Sequence, residues 1–330
     1  MTAPDGTDAL AEAVRRGARR ALARAITLVE STRPDHRRQA DFLLTALLPF
    51  AGKAIRLGIT GVPGAGKSTL IESFGLRLIG LGHRVAVLAV DPSSPRSGGS
   101  LLGDKTRMEL LARDPRAFIR PSPAAGILGG VARRTREAMV LCEAAGFDVI
   151  IVETVGVGQS EMTVAEMVDM FLLLLAPAGG DELQGLKKGI VEMADAVIIT
   201  KADGELAAAA GRAAQDYRNA LHLLRPRTAG WVVPVLRCSA QRGEGLAELW
   251  ESVENYCTLG RQSGLFAQKR AGQALHWMWQ EVSEELLALL RADPGVAAER
   301  SALEGRVAEG RLLPTTAAAA LLKGFLAGHF

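Results

Sequence analysis

Residues Gly61-Val62-Pro63-Gly64-Ala65-Gly66-Lys67-Ser68 fit the spacing G-x-x-x-x-G-K-[S/T], and the segments around them restrict the fold more than any other part of the chain. Ile55 to Thr60 reads as a short apolar strand before it. Leu70 to Ile79 reads as an amphipathic helix after it. Strand, glycine loop and helix in that order make a phosphate-binding loop. Glycines let the backbone turn tightly and bring its N–H groups to phosphate oxygens. The helix N-terminus adds partial positive charge. Lys67 is the candidate for reaching β- and γ-phosphates, and Ser68 for ligating Mg²⁺. With Thr69 in the first helical turn, Gly61 to Thr69 is the candidate phosphate cradle.

A loop of this kind needs a parallel sheet, and the chain supplies the strands. Segments 55–60, 84–90, 117–120, 148–153, 169–175, 196–200 and 232–238 are the strand candidates. Val149-Ile150-Ile151-Val152 and Ala196-Val197-Ile198-Ile199 are unbroken apolar runs, the pattern of strands covered on both faces. Helical patterns near 105–113, 129–145, 205–224 and 245–259 provide crossovers. The spacing predicts a doubly wound, mostly parallel α/β sheet, with ligand at the carboxyl ends of its strands.

Helical patterns flank this core. Residues 1–50 read as an N-terminal extension: one helix through Leu10, Val14, Ala18, Leu22, Ala25 and Val29, a break at Ser31–Asp35, and a second over Gln39–Leu48. The nucleotide domain then spans 51–262. Residues 263–330 form a C-terminal extension with a long helix over Leu265–Arg291, stopped by Asp293-Pro294-Gly295, and a last helix over Thr315–Leu326. This tail is a candidate dimerisation arm.

Composition excludes several classes. A net charge of +3 gives no ground for nucleic-acid binding, and no apolar run is long enough to span a membrane. Arg15, Arg16, Arg19, Arg20 and Arg24 crowd the N-terminus, as in an organelle transit peptide. Interspersed Asp8, Glu12 and Glu30 instead point to a solvated helix face. Cys142, Cys238 and Cys257 are far apart, which suggests neither a disulfide framework nor a C-x-x-C metal site and fits a reducing cytoplasm.

Further motifs complete a nucleotide site. In Asp148-Val149-Ile150-Ile151-Val152-Glu153-Thr154-Val155-Gly156 an apolar strand delivers a carboxylate and then a glycine. Glu153 is a candidate Mg²⁺ group, directly or through water, and Gly156 a candidate γ-phosphate sensor. Asp91 ends another strand ahead of a Ser/Gly/Pro-rich loop, and Asp104 lies beyond it. Both are candidate metal groups, and Asp104 is equally placed to cap the helix that follows. Thr200-Lys201-Ala202-Asp203 fits [N/T]-K-x-D. A carboxylate at Asp203 accepts from guanine N1–H and the exocyclic amine, whereas adenine lacks that donor pair. The Lys201 stem can cover the base. Ser239, Ala240 and Gln241 follow the next strand and fit an S-A element whose backbone N–H meets guanine O6. In this order the elements point to GTP and GDP rather than ATP.

The set G-V-P-G-A-G-K-S, V-D-P-S-S-P, D-K-T-R-M, E-T-V-G-V-G-Q-S-E and T-K-A-D resembles the MeaB family of GTPases over nearly the whole chain. Family members have also carried the name of an arginine/ornithine transport-system kinase. The resemblance implies a P-loop GTPase fold, GTP·Mg²⁺ binding, slow hydrolysis and homodimers. It also implies docking on adenosylcobalamin-dependent methylmalonyl-CoA mutase, with nucleotide state gating cobalamin transfer and protecting the mutase. In that scheme Lys67 and Mg²⁺ stabilise γ-phosphoryl charge.

Val157 stands directly after Gly156, where Ras-type enzymes carry Gln, so no residue is assigned to position water; Gln159 is a candidate. No arginine finger is identifiable. Residues 177–188, Gly-rich and charged, are a candidate partner-coupling loop. The alternatives are a metal-insertion GTPase for nickel enzymes, which the scattered His and Cys do not support, a P-loop kinase, and a scaffold that binds without turnover.

Overall fold

A computed structural model describes residues 6–90, 108–121, 128–154, 160–177, 188–224 and 227–329. Asp91, Asp104, Gly156, Gln159 and the core of the 177–188 loop lie outside them.

Three helices open the chain: α1 (Thr7–Arg15), α2 (Arg19–Glu30) and α3 (Pro34–Leu47). The single helix expected before residue 31 is therefore two. The break is a left-handed glycine: Gly17 has φ 74°, its N–H bonds the Val14 carbonyl at 2.8 Å, and the Ala18 N–H bonds that of Ala13 at 3.1 Å. That pair of bonds closes a helix C-terminus and redirects the chain. α3 starts earlier than expected because Pro34 suits a first helical turn, where its missing N–H costs nothing.

The core sheet follows. In chain order its elements are β1 (Ile55–Gly61), α4 (Lys67–Gly80), β2 (Val85–Val90), α5 (Glu109–Arg113), β3 (Ala117–Arg120), α6 (Leu128–Ala144), β4 (Val149–Thr154), α7 (Ser160–Ala165), β5 (Met170–Leu175), α8 (Lys188–Met193), β6 (Ala196–Ile199), α9 (Ala207–His222), β7 (Val235–Arg237) and α10 (Leu246–Gln262). The seven strands run parallel in the order β3-β2-β4-β1-β5-β6-β7, which is the doubly wound sheet expected. From β1 the chain builds β2, β3 and β4 on one side, then β5, β6 and β7 on the other. The carboxyl end of β1 is thus the switch point, where such sheets open a crevice for ligand.

Both faces of the sheet are dry. Leu172 and Leu174 of β5 join Leu57, Ile59, Phe74, Ile151 and Trp250 on one face, while Leu173 and Leu175 join Val197, Ile199, Ala210 and Tyr217 on the other. Alternate residues of a strand point to opposite faces, so an unbroken Leu run fills two cores at once. Each such side chain contributes about 1.5–3 kcal/mol on burial. All three cysteines are free and buried, and burial pushes the Cys238 and Cys257 thiols up to about 12.

The amino edge of the sheet carries charge. Arg270 donates to both oxygens of buried Asp169, at 2.8 and 2.5 Å, and to the carbonyls of Gly52 and Ala54. Arg56 pairs with buried Glu143 at 2.6 Å. Asp195 accepts from the Phe171 N–H at 2.8 Å and the Tyr256 hydroxyl at 3.1 Å. Burial pushes the Asp195 carboxyl above the ordinary carboxylate range and the nearby Lys269 ammonium below its own.

The chain divides into two compact units, Met1–Arg270 and Ala271–Phe330. α11 (Leu265–Ala292) begins in the first and continues into the second, which also holds α12 (Pro294–Ala308) and α13 (Pro314–His329). Asp293-Pro294-Gly295 ends α11 as expected and also starts α12, which was not expected. The Asp293 side chain accepts from the Val296 N–H at 2.9 Å, with Pro294 in the first turn. Leu275, Trp279, Val282, Leu286 and Leu289 of α11 are exposed. Among the described residues no helix is long and apolar enough to cross a membrane.

Candidate functional site

The phosphate loop leaves the end of β1 and enters α4. Gly61 is tightly placed: a Cβ there would overlap the Leu174 carbonyl oxygen of β5. Gly66, with φ 83°, precedes the first residue of α4, and no side chain caps that helix. The first turn of α4 thus follows a residue with no side chain of its own to cap it, which suits an anion site at a helix N-terminus. Lys67 is buried and folds back over the loop, its Nζ donating to the carbonyls of Gly61 at 2.7 Å and Val62 at 3.2 Å.

β4 lies between β1 and β2 and carries Glu153 to the same edge, in register with Ile59 and Ala89. Ser68 Oγ donates to Glu153 Oε1 at 3.2 Å. Beside them the hydroxyls of Thr60 and Thr154 meet at 2.8 Å. Sheet order alone brings Ser68 and Glu153 together across a long stretch of sequence. Their oxygens fit Mg²⁺, which typically takes one or two protein oxygens and completes its shell with phosphate and water.

The base side is built from the ends of β6 and β7. Thr200 Oγ1 donates to the Ala65 carbonyl of the phosphate loop at 2.7 Å and reaches the Leu175 carbonyl at 3.1 Å. A threonine hydroxyl thus makes the loop-bridging contact usually supplied by Asn. Lys201 has φ 52°, the one positive φ outside glycine among the described residues. Backbone in that region costs about 1–3 kcal/mol and marks a position held by its surroundings. The Ala202 N–H bonds the Cys238 carbonyl at 3.1 Å, and Ser73 Oγ of α4 bonds the Ala240 carbonyl at 2.8 Å, which locks the two base-side loops to α4.

These contacts enclose a cleft of about 370 Å³ whose lining includes Gly66, Thr69, Lys201, Asp203, Ala240 and Gln241. Thr200, Glu205 and Leu206 complete part of the wall. Glu205 and Leu206 had no motif to reveal them; they stand on the turn after Asp203. Ser239 is buried and is not among the lining residues. Its N–H bonds the Glu244 carbonyl at 3.0 Å and its Oγ accepts from the Arg242 N–H at 3.2 Å, so it shapes the turn. A larger cavity of about 700 Å³ is lined by Asp195, Pro234 and Val235, at the amino ends of β6 and β7, and holds none of the sequence-predicted residues.

A site with phosphate loop, acidic strand end and carboxylate-bearing base cleft can hold a nucleoside triphosphate and act on its γ-phosphate. Comparison with known proteins agrees. Residues 22–295 match the model of the family described as methylmalonyl-CoA mutase-associated GTPase MeaB. The chain is 57% identical to a Mycobacterium tuberculosis protein named "Probable GTPase", over 97% of this chain and 95% of that one. It is 52% identical to the mitochondrial methylmalonic aciduria type A homolog of Mus musculus, over 95% of this chain and 78% of that one. It is 51% identical to GTPase ArgK of Escherichia coli, over 86% of this chain and 87% of that one. The crystal structure of a protein named LAO/AO transport system kinase superposes with a TM-score of 0.78 at 40% identity, covering 99% of each chain. The chain therefore belongs to the MeaB family of methylmalonyl-CoA mutase-associated GTPases, and is itself a GTPase that binds guanine nucleotide.

Proposed function

We propose that this GTPase is a chaperone of adenosylcobalamin-dependent methylmalonyl-CoA mutase, gating cobalamin delivery and protecting the mutase through its nucleotide state. The observation that carries the reading is the family match across residues 22–295, whose description names the mutase. The Ser68–Glu153 pair supports it by bringing a hydroxyl and a carboxylate together beside the phosphate loop.

Each residue then has a task. The α4 N-terminus and the loop amides bind phosphate. Lys67 exchanges its contacts with the Gly61 and Val62 carbonyls for β- and γ-phosphate oxygens. Ser68 would hold Mg²⁺, with Glu153 directly or through water, and the metal would neutralise charge on the phosphates. Asp203 accepts from guanine N1–H and N2–H, and the Lys201 stem covers the base. Gly156 senses the γ-phosphate, while Asp91 and Asp104 stand as further metal or capping groups. The exposed apolar side of α11 serves a homodimer, and the protein works in the cytoplasm.

Transfer of adenosylcobalamin to cofactor-free mutase, followed by the cobalamin absorbance, tests this reading. Transfer that proceeds with GTP and stalls with GDP is the expected result. Transfer indifferent to the nucleotide and to this protein contradicts it. A phosphotransfer reading draws on the kinase name that the solved relative carries. Tracing labelled γ-phosphate separates the two, since a GTPase delivers it to water alone.

A further inference from the structure

The turn after β7 carries a cation that none of the nucleotide motifs assigns. Ser239 and Glu244 close that turn by backbone pairing, and the Arg242 N–H is tied to Ser239 Oγ at 3.2 Å. The Arg242 guanidinium is thereby brought between two carboxylates. Its Nε lies 3.8 Å from Asp203 Oδ2, and its Nη1 4.0 Å from Glu244 Oε1. Asp203 lines the cleft, and Arg242 is not among the residues that line it.

We infer that Arg242 is a positioning residue for guanine recognition, holding the Asp203 carboxylate in the orientation that meets the base and sharing its charge with Glu244. The inference rests on the reading of Asp203 as the guanine acceptor. A carboxylate has two oxygens and about four lone-pair directions. Guanine N1–H and N2–H use one on each oxygen, in the plane of the base. At 3.8 Å the guanidinium attracts Oδ2 as a charge without a direct hydrogen bond, which leaves those two directions free, so base and arginine act on the carboxylate together rather than compete. Without it the carboxylate is free to rotate and to hydrogen-bond water. A misaligned acceptor harms a two-donor ligand more than a one-donor ligand, so orientation becomes discrimination. Glu244 draws on the same guanidinium and weakens its hold on Asp203.

The strength of the effect follows from exposure. The Arg242 side chain is 58% exposed and that of Asp203 22%, so solvent and salt screen the pair. A two- to fivefold change in affinity is the expected scale, about what exposed ion pairs deliver.

Calorimetric binding of GDP and of inosine diphosphate to the full chain, at low and high salt, tests the inference. Inosine keeps N1–H and lacks the 2-amino group. Arg242→Ala is expected to weaken GDP binding about two- to fivefold at low salt and to weaken inosine diphosphate binding less. The difference should shrink at high salt. Arg242→Lys should recover most of the loss, and Glu244→Gln should shift GDP affinity the opposite way. KM for GTP should rise in Arg242→Ala with single-turnover hydrolysis of bound GTP unchanged. The backbone tie of residue 242 to Ser239 survives the truncation, and a thermal melt verifies folding. Arg242→Ala with unaltered GDP affinity and unaltered guanine-to-inosine ratio overturns the inference, provided Asp203→Asn lowers guanine preference in the same assay. If Asp203→Asn also leaves that preference intact, the base-recognition reading fails and this inference falls with it.

Discussion

At the scale of single residues, two positions in the phosphate loop carry distinct burdens. Gly61 is a packing requirement, because any Cβ there meets the Leu174 carbonyl of the neighbouring strand. Gly61→Ala is expected to cost roughly 1–3 kcal/mol of stability, as overpacking does, and to weaken GTP binding by shifting the loop. Urea unfolding and nucleotide titration measure both, and a variant as stable as the parent would contradict the packing argument. In the proposed function Lys67 is a charge requirement. Its ammonium already sits within the loop, held by two carbonyls that a nucleotide can replace with phosphate oxygens. Lys67→Ala is expected to lower single-turnover GTP hydrolysis by roughly a hundredfold or more, on the scale of losing one donor to developing charge. A loss confined to KM would assign Lys67 to ground-state binding alone.

At the scale of elements, burial decides what the sequence reveals. The strands were legible because apolar runs such as Met170–Leu175 must be covered on both faces. The base-side strand is shorter than its apolar run suggests: β7 holds only Val235–Arg237, since Pro234 has no N–H to donate and Val232 is exposed. Short helices α7 and α8 span less than two turns, too little for a period to emerge. The division of the first helix rests on one glycine, which has clear meaning only once its left-handed φ is seen. In the site, the loop residues and Asp203 were legible as motifs. Glu205 and Leu206 were not, because turn geometry brings them to the cleft wall, while Thr200 makes the loop-bridging contact of the Asn that it replaces in the motif.

The charged groups under β5 and β6 lead to a pH prediction. Desolvation raises the folded Asp195 carboxyl, outweighing Lys269 and the Phe171 N–H. A raised folded value means the folded chain holds that proton more tightly than the unfolded chain. The associated stability is complete below about pH 4, the unfolded range, and is lost as pH rises through the folded value. Asp195→Asn retains an acceptor for the Phe171 N–H and gains a donor for the Tyr256 oxygen. It is expected to unfold at an equal or higher urea concentration at neutral pH and to lose that part of the acid-side slope. A clearly lower midpoint at neutral pH would show instead that the carboxylate charge stabilises this edge.

At the scale of the molecule, the second unit leaves Leu275, Trp279, Leu286 and Leu289 exposed on α11, with Leu313, Leu322 and Leu326 beyond it. So many exposed large apolar side chains on one segment mark an interaction surface, which we assign to a second copy. Light scattering should give twice the chain mass, and Leu286→Glu should halve it with nucleotide affinity retained. A monomeric parent protein would contradict the assignment. The proposed chaperone role joins this assembly to the nucleotide site and to a client. GTP hydrolysis with Mg²⁺, measured alone and with added methylmalonyl-CoA mutase, with ATP as control, tests it most directly. Slow turnover of GTP, none of ATP, and acceleration by the mutase are the expected results. Guanine-specific turnover that the mutase leaves unchanged would contradict the chaperone assignment, and equal turnover of ATP would contradict the reading of Asp203.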